Sequence, residues 1–330
     1  MSIYNLDEVY SEIYKKISNA MDSFLTRIEL PRVSIEEILL IYNMVLSENS
    51  NGIFYEPGVI RPADSKLGST VEFDMCPELQ NDNMCNKIIK SETDKIISLA
   101  LRERNVYDTV LSVYQYFVKN FQYAKKNYKE YKFHRMISTF LYRESVCDGF
   151  AYAFSMIMNQ MNIPCGVVHG RSRLSGDNCL HAWNVIKIEN KCYQLDVTWD
   201  ISSKVDGEKS VDYFLIDDNL MRKDHYWKDF TIPICEDLSK DYYVVKNGGH
   251  MKNTNDIINL IREYLRMKKC NISFRYTGIG VDSIINDASL VKMFKEAAQQ
   301  VGCRYFGVHY GYNVSAGTAY FIVSYQNELK

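Results

Sequence analysis

At 330 residues, 46% of them hydrophobic, the chain is long enough to bury two or three separate cores. Thirty-nine Lys and Arg against 41 Asp and Glu leave a formal charge of -2, which excludes a global field drawing in nucleic acid or an anionic membrane. Nine scattered Cys lack the dense, even spacing of a small secreted disulfide scaffold. The start, MSIYNLDEVYSEIYKK, places acids where a secretory leader needs an apolar core, and no apolar run reaches the ~18 residues of a membrane span. The expectation is a soluble protein in a reducing, cytoplasmic compartment, with no nucleic-acid partner and no membrane insertion. A secreted protein trimmed of its leader would read the same way.

In chain order, the pattern predicts a helix over about Leu6 to Phe24 and a short strand around Thr26 to Leu30, ended by Pro31. Ser34 and Glu37 form a capping box before Ile38, Leu39, Tyr42 and Val45 at helical spacing. Strand-like stretches follow at Ile53 to Tyr55 and Thr70 to Phe73, separated by Pro57, Gly58, Pro62 and Gly68, which read as loop punctuation. Asp108 to Phe121 carries an apolar stripe of Val110, Leu111, Val113, Tyr114, Phe117 and Phe121, suited to a helix lying against a core. Tyr242 to Val245 reads as a strand before the turn-rich Asn247-Gly248-Gly249. The C-terminal segment repeats the α-β-α-β-β order of the first: helix Ile257 to Met267, strand Asn271 to Tyr276, helix Ser289 to Val301, strands Arg304 to Tyr310 and Ala319 to Tyr325. Residue identities between the two are poor, and the order is a common one for small α+β units. The domains expected are an N-terminal α+β module over 1–105, a core over 106–246 and a C-terminal α+β module over 250–330.

The chemistry concentrates in the core. In CDGFAYAFSMIMNQMNIPCGVVHG, residues Phe150, Ala151, Phe154, Met158 and Met161 bury one helical face and Pro164 ends the element, which puts Cys147 at the helix N-terminus. Unpaired amides and the helix dipole favour an anion there, and hence a reactive thiolate, although most cysteines taken singly are small buried hydrophobes. Then LHAWNVIKIENKCYQLDVTWD reads as two strands joined at Glu189-Asn190. A two-residue loop sets Ile188 opposite Lys191 and Trp183 opposite Asp196, so that His181 and Asp196 are diagonal neighbours on one face. A thiol at a helix start, a histidine and a carboxylate to orient it satisfy the logic of a nucleophilic triad: Cys147, His181 and Asp196.

YQYFVKNFQYA, CDGFAYAF, LHAWNVIKI and YQLDVTWD, in that order and spacing, resemble the bacterial transglutaminase-like superfamily, whose pattern is a Cys opening a helix, then His-Ala-Trp-Asn, then Asp-Val-Thr-Trp. VDYFLIDDNLMRKDH resembles the segment closing that core, so the similarity runs from about Tyr107 to His225. Asp148 stands where relatives often carry Glu or Gln. The resemblance implies an α+β, papain-like fold, with the nucleophile helix packed on an antiparallel sheet and small α+β modules flanking it. It further implies Cys147 as nucleophile, His181 as acid/base and Asp196 as third member. The expected activity is thiol-dependent acyl transfer on a peptide or protein substrate, with a cysteine peptidase ahead of a cross-linking or deamidating transglutaminase. A non-catalytic peptide- or glycan-binding scaffold of the same fold is the alternative from another class.

Cys179, His181 and Cys192 lack a Cys-x-x-Cys pair or a fourth ligand at zinc spacing, and no acidic loop suggests calcium, so neither metal nor cofactor is expected. Lys119 to Arg135 interleaves bases with aromatics and reads mainly as a solvated edge; Tyr128, Tyr131 and His134 within it, and Trp183 in the hairpin, are the weaker candidates for substrate contact. The oligomeric state is not encoded in any pattern noted.

Overall fold

A computed structural model describes residues 2–62, 70–80, 83–126, 129–173, 179–202, 211–228 and 230–325. Packing divides the chain into two units, Met1–Asp237 and Leu238–Lys330. No helix among the described residues is long and apolar enough to cross a membrane.

The first unit opens with helix α1 (Glu8–Asp22), strand β1 (Arg27–Glu29) and helix α2 (Ile35–Glu48). Helix α2 starts at the predicted capping box: Ser34 Oγ accepts the Glu37 N–H at 3.2 Å, and Glu37 Oε2 takes the Ser34 N–H at 2.8 Å. The first strand-like stretch is instead a single 3₁₀ turn, Ser50–Phe54, and the strand proper, β2, runs over Tyr55–Pro62. Pro57 and Gly58, which read as loop, thus lie inside a strand. They are tolerated because β2 is an edge strand whose register against β3 (Thr70–Met75) shifts between Tyr55 and Ile60, and such irregular edges need no ladder N–H from proline.

Helix α3 (Asn83–Ala100), for which no element was expected, and helix α4 (Val106–Asn120) follow. Next comes α5 (Cys147–Gln160), packed on a sheet of order β6-β5-β4-β7 formed by β4 (Cys165–Ser172), β5 (Cys179–Ile188), β6 (Lys191–Leu195) and β7 (His225–Tyr226). All pairs in that sheet are antiparallel. Asn184, buried on β5, fastens the helix to the sheet by donating from Nδ2 to Ala151 O at 2.8 Å and Gly166 O at 3.1 Å. Between α4 and α5, Tyr114, Phe117, Phe121, Phe150 and Phe154 form an aromatic core, edge-on except for the tilted Phe121–Phe150 pair.

The N-terminal residues are built into this core. Above the point where β7 begins, no strand among the described residues pairs with the outer edge of β4, and the Tyr4 hydroxyl takes that place. It accepts the Val167 N–H at 2.6 Å, lies 3.0 Å from Val167 O, and is 2.9 Å from Ser47 Oγ. Ser155 and Asn159 of α5 both donate to Ser47 O, at 2.8 and 3.1 Å. Residues 1–105 therefore share one packed unit with the segment carrying the candidate site.

The second unit holds Tyr242–Asn247, which is a helix and not the expected strand: Asp241 Oδ1 caps it by accepting the Tyr243 and Val244 N–H groups, and Gly248 at φ +75° ends it in the left-handed region. Helices α6 (Thr254–Arg266) and α7 (Asp287–Gln300) cover a sheet of β8 (Asn271–Arg275), β9 (Tyr305–Asn313) and β10 (Thr318–Tyr325). Its antiparallel order, β8-β10-β9, is first-third-second, the same as β1-β3-β2 in the first unit. The repeated element order noted in sequence extends to topology.

Tyr4→Phe leaves the buried Val167 N–H without its acceptor. It is expected to lower the stability of the first unit by about 1–3 kcal/mol in urea unfolding at unchanged m-value; an unchanged midpoint would show that the N-terminal contact is dispensable.

Candidate active site

Cys147 occupies the first turn of α5 because two chain segments converge on it. Gln122–Tyr123 pairs parallel with Glu144–Ser145, and the Val146 N–H donates to Phe133 O at 3.1 Å, so Val146 enters the helix in extended conformation. Gly149 lets the first turn lie this close: a Cβ there would collide with Ser145 Oγ and stand 2.8 Å from Arg135 O. Cys147 itself is half-buried.

The hairpin has the predicted register, with Ile188 opposite Lys191 across a turn in which Glu189 adopts φ +57°. The ladder stops at Asn184 and Leu195, one residue short of the pairing expected for Asp196. Val197–Ser202, read as strand, is a helical turn, because Asp196 Oδ1 accepts the Thr198 and Trp199 N–H groups at 2.8 and 3.2 Å in the manner of an N-cap. Its other oxygen is thereby left facing β5, and His181 Nε2 lies 2.6 Å from Oδ2.

A carboxylate in that position accepts, so His181 donates from Nε2 and keeps Nδ1 for a second partner, and Cys147 is near enough to act on the ring. Burial disfavours the imidazolium, but the charge and hydrogen bond of Asp196, together with Cys147, outweigh it and push His181 up to about 9. The same burial would raise Asp196, yet His181 and His225 hold it far below the usual carboxylate range. The structure thus brings Cys147, His181 and Asp196 together.

Trp183 is 1% exposed. It stacks on His181 at 5.9 Å and donates from Nε1 to Gln194 Oε1 at 2.9 Å, backing the imidazole and not presenting itself to a ligand. Gly170 makes that possible, since a Cβ on it would lie 2.5 Å from the Trp183 ring. Tyr131 donates its hydroxyl to Pro57 O, stacks on His134 and lines a cavity of about 1090 Å³ with Phe24, Phe54, Phe73 and Glu56. His134 Nδ1 lies 2.7 Å from Asp148 Oδ2. Burial works against Asp148 ionising, but His134, with His169 and His181, holds it below the usual range. The acid beside Cys147 is thereby matched by its own histidine. Tyr128 lies outside the described residues.

His225 was not singled out by any sequence signal, although it ends the VDYFLIDDNLMRKDH segment. Its side chain is fully buried; Nε2 lies 3.0 Å from Asp196 Oδ2 and Nδ1 2.7 Å from Asp224 Oδ1. Tyr123 is the other addition, half-buried next to the Cys147 segment, with burial first and the nearby sulfur second raising its phenol. As for metal, Cys192 sits opposite Lys187, well along the strand from His181, so the Cys179, His181, Cys192 set does not converge. His181, Asp196 and His225 do offer ligand atoms within 4.8 Å of one another. Both imidazoles are at hydrogen-bond distance from one carboxylate oxygen, and a cation would have to displace those bonds.

Two outcomes follow from this geometry. Gly149→Ala forces the first turn of α5 away from residues 133–145 and is expected to cost about 1–3 kcal/mol in chemical denaturation while slowing alkylation of Cys147. For His181 the folded state binds the proton more tightly than the ordinary value of 6.5. Its contribution to stability is complete below about 6.5 and is lost as pH rises through about 9. The urea midpoint of the wild type should fall across that window, and His181→Ala should lack this component of the fall.

Residues 96–197 match the model of the transglutaminase-like superfamily. No curated protein matches the chain. Among solved structures, a protein of Cytophaga hutchinsonii provisionally assigned as a cysteine protease aligns at 19% identity and TM-score 0.28, over 39% of this chain and 51% of its own. A TGase aligns at 16% identity and TM-score 0.31, over 56% of this chain and 52% of its own. The chain thus spans about half the length of each. The likeness to the transglutaminase-like superfamily extends over residues 96–197, about a third of the chain.

Proposed function

We propose that the protein is a thiol-dependent acyl-transfer enzyme acting on a peptide or amide bond, and most specifically a cysteine peptidase. The observation that carries this reading is the buried His181 Nε2–Asp196 Oδ2 pair at 2.6 Å, with Cys147 close enough to act on the same imidazole. The match of residues 96–197 to the transglutaminase-like superfamily model supports a thiol-dependent enzyme in general.

The Cys147 thiolate attacks the carbonyl carbon of the scissile amide, and the imidazolium at His181 gives its proton to the departing nitrogen as the C–N bond breaks. A thioester on Cys147 remains. Water, losing a proton to His181, then attacks the thioester carbonyl and releases a carboxylic acid and the thiol. A lysine amine in place of water would make the same intermediate a cross-linking one. The Cys147 N–H, at the first helical position and without an intrahelical acceptor, is the natural donor to the developing oxyanion.

Limiting iodoacetamide, followed by mass spectrometry of the labelled cysteines, reads the thiolate directly; incubation with a mixture of unfolded peptides, quenched in acid, reads the acyl adduct. The expected result is selective labelling of Cys147 among the nine cysteines, an adduct mass on that residue, and turnover lowered roughly 10²–10⁴-fold in His181→Ala. Labelling of Cys147 no faster than of the other cysteines, with no turnover of any peptide, would falsify the enzymatic reading and leave a peptide- or glycan-binding scaffold.

A further inference from the structure

His225 has an arrangement that a packing role does not require. Each of its ring nitrogens faces a carboxylate oxygen, Nδ1 at 2.7 Å from Asp224 Oδ1 and Nε2 at 3.0 Å from Asp196 Oδ2. An imidazole with an acceptor on both sides donates twice, and the form that donates twice is the imidazolium. Its surroundings suit a cation: Trp199, Trp183 and Tyr213 lie 4.4, 4.9 and 5.5 Å away, ring centre to ring centre. Asp224 is held in turn by the Tyr213 hydroxyl, which donates to Oδ2 at 2.6 Å. The titratable groups facing His225 are Asp224 on its own segment, Asp196 after β6, Tyr213, and His181 on β5 at 5.3 Å between ring centres.

We infer that His225, clamped by Asp224, is a positioning residue for the acyl-transfer reaction, holding Asp196 Oδ2 toward His181 and offsetting part of the negative charge that His181 feels. The inference rests on the function proposed above. Without His225, Oδ2 would have His181 as its single imidazole partner, and the full charge of a desolvated carboxylate would act on that ring. His225 rises above its ordinary value against burial, through its bonds to Asp196 and Asp224, consistent with a fixed charge. The line from the sulfur is therefore longer than a triad: Cys147, His181, Asp196, His225, Asp224.

The test uses the full chain with His225→Gln and Asp224→Asn, and compares alkylation of Cys147 by iodoacetate and iodoacetamide from acid to alkaline pH. An imidazolium at His181 attracts the anionic reagent, so the ratio of the two rates falls as that ring loses its proton, near pH 9 in the wild type. In both variants the fall should move to higher pH by about one unit, and alkylation near neutral pH should slow roughly 10-fold. Folded variants with the wild-type ratio, rate and midpoint would reduce His225 to a core residue. If neither variant folds, Tyr213→Phe, which frees Asp224 and leaves His225 in place, should shift the midpoint in the same direction by less, and no shift overturns the inference. Slow labelling of Cys147 in the wild type itself removes the enzymatic reading, whereas fast wild-type labelling with unchanged variants removes the role of His225 alone.

Discussion

Asp196 is a carboxylate with no exposed surface, and four donors converge on it: the Thr198 and Trp199 amides on Oδ1, and the His181 and His225 imidazoles on Oδ2. A buried carboxylate is costly unless its lone pairs are satisfied, so each of these groups is constrained by the others. The two amides start the Val197–Ser202 turn and end β6; the two imidazoles draw the start of β5 and the edge strand β7 to one point. The carbonyl of the same residue accepts from the Tyr114 hydroxyl at 2.9 Å, which ties α4 to the cluster. Removing the charge from Asp196 would therefore disturb backbone as well as chemistry.

Buried aromatic residues pack around this cluster. Trp183, Trp199 and Tyr213 surround His225, and Trp183 backs His181, so the charges of Asp196 and the two imidazoles interact with little screening. Cys147, in contrast, is half-buried. The site is thus asymmetric in burial: Asp196 and the two imidazoles are buried, and Cys147 is half-buried.

Tyr4 and Ser47 bring the N-terminal elements into contact with β4 and α5, the two elements that bracket Cys147 and the sheet. The expected boundary at residues 105 and 106 has no counterpart in how the chain packs, since Met1–Asp237 forms one unit. A hydroxyl standing in for a missing strand leaves no trace in hydrophobic periodicity. Nor did the α3 segment announce itself: Asn83–Ala100 mixes Lys, Asn and Ser among its apolar positions, so its helical stripe is weak without the neighbours it packs against.

What the sequence by itself determined was whatever depends on local rules. The Ser34 capping box started α2, Cys147 opened its helix ahead of Gly149, the two-residue turn at Glu189-Asn190 set the hairpin register, and the C-terminal elements fell where their periodicity put them. These follow from hydrogen bonds and side-chain periods spanning a few residues. Only the tertiary structure decided the rest. Asp196 stopped its strand because its side chain took two amides ahead; Tyr242–Asn247 became a helix because Asp241 capped it; Pro57 and Gly58 stayed in a strand because that strand is at an edge. His225 reached Asp196 from 29 residues away because an edge strand pairs Ser172 with it. A contact of that separation obeys no local period, and so Cys147, His181 and Asp196 could be picked out from the chain while the imidazole behind Asp196 could not.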